Sequence, residues 1–312
     1  MKQYLDLEDI NDLDGLIQKA IALKSNPFNH QDLGRNKTIG LLFFNSSLRT
    51  RLSTQKAAQN LGMNVMTLDL KTDSWQLEFE DGSIMDANTA EHIKEAAAVI
   101  SQYVDIMALR AFPTLTDKAQ DQKETILKSF QKYASVPVVN MESATAHPLQ
   151  ALTDAITIVE HSTIKRPKVV LTWAPHPRAL PHAVPNSFAK AMQMMDVDFC
   201  ITHPKGYQLN PEITRNTRII YDQDEALMNA DFVYAKNWSS YADYGKVLCN
   251  DQSWMITSKK LNNAKFMHCL PVRRNVIVSD QVLDSDQSLV IQQANNRTYA
   301  AQAVLKELLE SM

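Results

Sequence analysis

Apolar runs alternate with amphipathic stretches along this chain. In the first half, Thr38–Phe44, Val65–Leu70, Ile106–Leu109 and Val136–Asn140 read as strands. The first of these, TIGLLFF, is an unbroken apolar run of the kind found in strands covered on both faces. Arg51–Leu61, Glu91–Tyr103 and Gln120–Tyr133 read as helices, the first closed by Gly62. In the third, Ile126, Leu127 and Phe130 share a face, with Lys and Gln elsewhere. In the second half the strands are Lys168–Trp173, Val197–Thr202, Ile219–Tyr221, Phe232–Lys236, Lys265–His268 and Leu289–Ile291. Helices are expected near Val184–Met195, Asp224–Met228 and Asp280–Leu283. Ala300, Val304 and Leu308 fall at helical spacing in Thr298–Leu309, a closing helix. The longest irregular stretch is Lys71–Thr89. Alternating strands and helices predict an α/β fold with parallel sheets covered by helices on both faces. The domain change is placed near residue 145. That gives a first domain over 1–145 and a second over 146–296, with Pro148–Val159 as a helix crossing between halves and 297–312 packing back on the first.

A length of 312 residues suits two domains with substantial cores. Net charge is −3, so no global basic field would attract a nucleic acid; the basic residues of interest are local and suit a small anion. No apolar stretch approaches the roughly 20 residues that span a bilayer, and the acidic, amphipathic start MKQYLDLEDINDLDGL is unlike a signal peptide. Cys200, Cys249 and Cys269 are far apart and form no Cys-x-x-Cys pair. This predicts neither a zinc site nor a disulfide framework, and a reducing, cytoplasmic compartment. Neither a G-x-G-x-x-G nor a P-loop pattern occurs, which argues against a nicotinamide-dependent dehydrogenase and against a P-loop nucleotide site.

Three short motifs carry chemistry. Ser47-Leu48-Arg49-Thr50-Arg51 sits where the first strand delivers the chain into a helix. The free amides and positive dipole end of that first turn, joined by arginine forks that stay charged, suit a doubly charged phosphate. The same residues also fit a solvated basic helix start capped by Ser46 or Ser47. His147-Pro148-Leu149-Gln150 opens the crossing helix, with proline in its first turn. Its imidazole and carboxamide can hold a carbonyl oxygen and an amide N–H₂, although the pattern also serves as a plain helix start. His268-Cys269-Leu270-Pro271 follows a strand, and ligands bind beyond the carboxyl ends of strands in open α/β sheets. The carbonyls of Cys269 and Leu270 can accept from an amide N–H₂, while the thiol itself reads as a small apolar group. Arg110 and Arg297 stand at the ends of elements, where an arginine is by default a surface charge.

Together, in this order and at comparable spacing, the three motifs resemble those of the transcarbamylases, and the likeness runs essentially end to end. The resemblance implies two doubly wound parallel-sheet domains joined by inter-domain helices, the first for carbamoyl phosphate and the second for an amino acid. It implies an active site between the domains and between subunits of a homotrimer, with no metal or organic cofactor. It further implies that Ser47, Leu48, Arg49 and Thr50 hold the phosphate, with Trp75 reaching the phosphate site of a neighbouring subunit. Arg110, His147 and Gln150 would hold the carbamoyl group, completed by the main chain at Cys269-Leu270 and by Arg297. Arg110, His147 and Thr50 would act in catalysis.

The Asp-x-x-x-Ser-Met-Gly pattern of ornithine-specific members is missing; Asp231 to Trp238 read DFVYAKNW instead. Lys236 in place of an acidic grip suits an α-nitrogen that acylation has stripped of its charge. Thr172–Arg178 and His268–Arg274 also resemble the branch acting on N-acylated ornithines, which implies that Glu142, His176, Lys236 and Arg273, with Arg178 secondary, contact that substrate. In this branch one loop position is Glu for N-acetylornithine and Pro for N-succinylornithine. Here it is Ala90, which matches neither but removes a charge that would repel a succinyl carboxylate. Glu91, next along, could restore one. The expectation is an N-succinyl-L-ornithine carbamoyltransferase of arginine biosynthesis. An N-acetyl-L-ornithine enzyme and a non-catalytic anion-binding α/β protein remain the alternatives.

Overall fold

Continuous apolar strands separated by helices favour parallel ladders. In the computed structural model, which describes residues 1–312, every pairing between strands is parallel. The chain divides into two compact units: Met1–Thr114, Ala119–Leu149 and Arg297–Met312 form one; Leu115–Lys118 and Gln150–Asn296 form the other.

The first unit runs α1 (Leu13–Ser25), β1 (Thr38–Phe43), α2 (Arg49–Asn60), β2 (Asn64–Asp69), β3 (Leu77–Glu78), β4 (Glu91–His92), α3 (Ile93–Ile100), β5 (Ile106–Arg110), α4 (Lys118–Gln122, entered from the second unit), α5 (Thr125–Tyr133) and β6 (Val138–Glu142). Its main sheet has the order β2-β1-β5-β6. The chain steps from β1 to β2 on one side and then returns to β5 on the other. The strand order therefore reverses between β1 and β5, and ligands in such sheets bind beyond the carboxyl ends at that reversal. Leu42, Met107, Leu109 and Val138 on the sheet pack against Ile93, Ala97, Leu127 and Phe130 of α3 and α5.

The second unit runs α6 (Pro148–His161), β7 (Lys168–Trp173), α7 (Ala183–Met194), β8 (Asp198–Thr202), α8 (Pro211–Thr214), β9 (Arg218–Ile220), α9 (Gln223–Leu227), β10 (Phe232–Lys236), α10 (Ser258–Leu261), β11 (Lys265–Met267), α11 (Asp280–Leu283) and α12 (Val290–Leu309). The unit boundaries fall within α6 and α12. The sheet order is β11-β10-β7-β8-β9, so here the reversal lies between β7 and β10.

Three expectations need correction. Gln120–Tyr133 is not one helix: Glu124 adopts a left-handed φ of 52° and separates α4 from α5. Leu289–Ile291 is not a strand. Val290 opens a 20-residue helix, while the Leu289 N–H still bonds the Phe266 carbonyl at 2.8 Å. A short buried apolar run cannot be told from a buried helix start by period alone. The Lys71–Thr89 stretch is not wholly irregular, since β3 lies inside it and pairs with β4, which in turn removes Glu91 and His92 from the helix expected there.

Candidate active site

β1 ends at Phe43 beside Arg110, the last residue of β5. The loop after β1 leads directly into α2, whose first residues are Arg49 and Thr50. The Ser47 hydroxyl accepts the Thr50 N–H at 3.2 Å, so one of the orphan amides of that turn is satisfied locally. An open hollow of about 370 Å³ here is lined by Phe43, Ser46, Ser47, Leu48, Arg51 and Asp69. Arg49 is half-buried and Leu48 exposed.

Behind this turn a buried polar cluster forms. The Thr50 hydroxyl accepts from Arg110 Nη1 at 3.2 Å and from Arg297 Nη2 at 2.7 Å. Arg110 also pairs with Glu142 at 3.3 Å and lies 4.4 Å from the centre of the Phe112 ring. His147 Nε2 stands 3.4 Å from the same Glu142 carboxylate. All five polar residues are buried. Two guanidinium groups against the single Glu142 carboxylate, which faces Arg110 and His147, leave these residues positive by charge count, the polarity an anion requires. Its parts are held from outside. Glu124, in its left-handed turn, accepts the N–H groups of Ala144 and Thr145 and the hydroxyls of Ser143 and Thr145, and so fixes the loop from Glu142 to His147.

In the second unit, His176 follows β7 and Lys236 ends β10, the two strands at the reversal. Arg273 Nε donates to His176 Nε2 at 3.0 Å. A guanidinium can only donate, so Nε2 carries no proton, while Nδ1 lies 2.8 Å from the Arg178 carbonyl oxygen and 3.1 Å from the Arg178 N–H. Partial burial lowers the His176 pKa, and the charges of Arg273, Lys236 and Arg178 lower it further against the raising effect of that carbonyl. The result is a neutral imidazole among three cations. Beyond β11, the His268 N–H donates to Gln293, and His268 Nδ1 accepts the Leu270 N–H at 2.9 Å. This shapes the turn at Cys269 and Leu270, where Leu270 has a φ of 55° and precedes a cis proline.

Within the first unit the structure thus brings Thr50, Arg110, His147 and Arg297 together and adds Glu142 to them. His176, Lys236, Arg178 and Arg273 form their own group. Trp75 is 58% exposed and donates to Glu91 at 2.8 Å, which engages the carboxylate that stood next to Ala90 as a doubt. Ala90 is exposed, its N–H held by the Gln76 carbonyl. Sequence reasoning missed Glu124, Asp154 and Gln293. Asp154 had a readable signal, standing one helical turn beyond Gln150, whose Nε2 donates to it at 2.7 Å. Glu124 and Gln293 act on residues distant in sequence and had none.

Comparison with known proteins agrees with these features. Residues 2–160 match the model of the aspartate/ornithine carbamoyltransferase carbamoyl-P binding domain, and residues 182–308 that of the Asp/Orn binding domain. The chain is 51% identical to an N-succinylornithine carbamoyltransferase of Bacteroides thetaiotaomicron, with 100% of each chain covered. It is 36% identical to an N-acetylornithine carbamoyltransferase of Xanthomonas campestris, over 99% of this chain and 98% of that one. A crystal structure of acetylornithine transcarbamylase complexed with acetylcitrulline superposes with a TM-score of 0.93 at 36% identity, covering 99% of both chains. With both of its parts matched and a full-length relative at 51% identity, the chain belongs to the aspartate/ornithine carbamoyltransferase family.

Proposed function

We propose that the protein transfers the carbamoyl group of carbamoyl phosphate to the δ-amine of N-succinyl-L-ornithine, giving N-succinyl-L-citrulline and phosphate, as a step of arginine biosynthesis. The observation that carries the acyl choice is the gap in identity: 51% and 50% to two succinyl enzymes against 36% to an acetyl enzyme. A variant of the acetyl enzyme complexed with carbamyl phosphate and N-succinyl-L-norvaline, at a TM-score of 0.92, supports the same fold handling a succinyl group. Lys236, Arg178 and Arg273 around a neutral His176 suit a co-substrate that carries a second carboxylate. Uncharged Ala90 adds no repulsion, where a carboxylate ~4 Å from the succinyl one would cost up to about 4 kcal/mol at a dielectric of 20.

In this reading Ser47, Leu48, Arg49 and Thr50 hold the phosphate, and Trp75 joins it from a neighbouring subunit of a homotrimer. Arg110, His147 and Thr50 donate to the carbamoyl oxygen. Gln150 and the carbonyls of Cys269 and Leu270 accept its N–H₂, with Arg297 completing the pocket. Glu142, His176, Lys236 and Arg273 take the acylornithine. The δ-amine attacks the carbamoyl carbon, a C–N bond forms, and the C–O bond to phosphate breaks with its electron pair leaving on phosphate. The attacking amine must be neutral although its ordinary pKa is about 10.4. Desolvation beside arginines favours that form, and the departing phosphate takes the proton. Donors aimed at the developing oxyanion are worth ~3–4 kcal/mol each. We place the enzyme in the cytoplasm; no helix is long and apolar enough to cross a membrane.

Carbamoylation is tested with ornithine, N-acetyl-L-ornithine and N-succinyl-L-ornithine, each with carbamoyl phosphate, by colorimetric detection of the ureido product. The succinyl compound should give the highest kcat/KM. A higher value for the acetyl compound overturns the acyl choice, and no product from any of the three overturns the enzyme.

A further inference from the structure

Asp154 is fully buried on α6, one turn beyond Gln150. One of its oxygens, Oδ1, accepts two amide donors, Gln150 Nε2 at 2.7 Å and Gln293 Nε2 at 2.7 Å. Gln293 Oε1 in turn accepts the His268 N–H at 3.0 Å, and the same histidine accepts the Leu270 N–H through Nδ1. The direction of this chain is forced. A backbone N–H only donates, so the Gln293 atom facing His268 is the oxygen and the atom facing Asp154 is the nitrogen. A carboxylate accepts, so Gln150 also turns its nitrogen to Asp154 and its carbonyl oxygen the other way.

From this we infer that Asp154 is a positioning residue that fixes the orientation of the Gln150 carboxamide, so that Gln150 meets substrate as a hydrogen-bond acceptor. Through Gln293 and His268 the same carboxylate is tied to the turn that carries the Cys269 and Leu270 carbonyls. The two sets of acceptors for a carbamoyl N–H₂ are thereby set by one buried group. An amide that flipped would offer N–H₂ to N–H₂ and repel the donor's nitrogen. Asp154 therefore selects for a carbamoyl nitrogen over a group of the same shape with no N–H. The inference rests on the proposed reading of Gln150 as a carbamoyl contact.

The test compares carbamoyl phosphate with acetyl phosphate, in which a methyl group replaces the N–H₂. Dissociation constants for both are measured on the full-length protein and on Asp154→Ala and Asp154→Asn, with thermal melting to verify folding. In Asp154→Ala the preference for carbamoyl phosphate should fall at least tenfold, while acetyl phosphate affinity stays within about twofold. Asp154→Asn, whose uncharged oxygen accepts more weakly, should lose less. A merely structural role would weaken both ligands together, and that outcome, or an unchanged preference in Asp154→Ala, overturns the inference. Should Asp154→Ala not fold, Asp154→Asn decides, with a threefold or greater loss of preference expected and a wild-type ratio overturning the proposal. If the unaltered protein binds neither phosphate, the reading of the site fails instead, and the two failures are distinguishable.

Discussion

Thr50 shows how much one hydroxyl can organise. Its oxygen takes a hydrogen bond from each of two buried guanidinium groups, holding Arg110 and Arg297 at one point. Two like charges so close persist because Glu142 faces one of them and because hydroxyl, carboxylate and the Phe112 face share the donors. Under the proposed reading an arriving phosphate would meet charges already desolvated and oriented, with Arg49 half-buried in the first turn of α2 beside them. Arg49→Ala should therefore weaken carbamoyl phosphate binding at least a hundredfold with little change in melting temperature; calorimetric titration showing wild-type affinity would remove the phosphate assignment. At the loop position proposed to set the acyl choice, Ala90→Glu should move the kcat/KM ratio toward the acetyl substrate by at least tenfold. A ratio that stays put means the loop position has been misassigned.

Each of the two main sheets reverses its strand order once, and the loops at that reversal carry the candidate residues. β1 and β5 deliver the Ser47–Thr50 turn and Arg110; β7 and β10 deliver His176 and Lys236. The elements between are positioned by details the period does not reveal. α2 ends at Asn60, is capped by Leu61 and turns through Gly62, which has a φ of 81°. A Cβ there would stand 2.0 Å from the Gln31 carbonyl oxygen. Gly62→Ala combines a left-handed conformation costing about 1–2 kcal/mol with that clash. It should lower unfolding free energy in urea by about 2 kcal/mol or more, with the m-value unchanged. A neutral result would mean that the α2–β2 connection can re-form around a side chain. That Gly62 closes α2 was legible, since glycine after a periodic run is a helix stop. The break at Glu124 was not, because a glutamate gives no local sign that it will leave helical space to bond a loop twenty residues away.

For the molecule as a whole, pH exposes a consequence of burial. His182 and His203 are buried, and desolvation depresses both, against the raising effect of the Ser239 and Pro204 carbonyls they face. His176 is depressed in the same direction, more exposed and so a smaller contributor. A histidine with a depressed folded-state pKa stays neutral while the unfolded chain becomes protonated. Unfolding then takes up protons once pH falls below the ordinary imidazole value of about 6.5. Stability is full above that value and declines as pH drops toward the depressed values. Melting temperature should be flat from pH 8 to 7 and fall between pH 6.5 and 5; a flat profile through that lower range would contradict the burial of these imidazoles in solution.

Contiguous features were decided by the sequence alone. Parallel α/β architecture follows from apolar runs set between helices, and the Ser47–Arg51, His147–Gln150 and His268–Pro271 segments stand out as candidates because each is local to one strand-to-helix junction or turn. Tertiary structure decided what depends on partners far apart along the chain. Glu142 pairs with Arg110 thirty-two residues away, Arg297 reaches Thr50, and Asp154 meets Gln293. A lone carboxylate or carboxamide looks the same in sequence whether it faces water or a buried cation. Only the packing that removes water makes its hydrogen bonds obligatory.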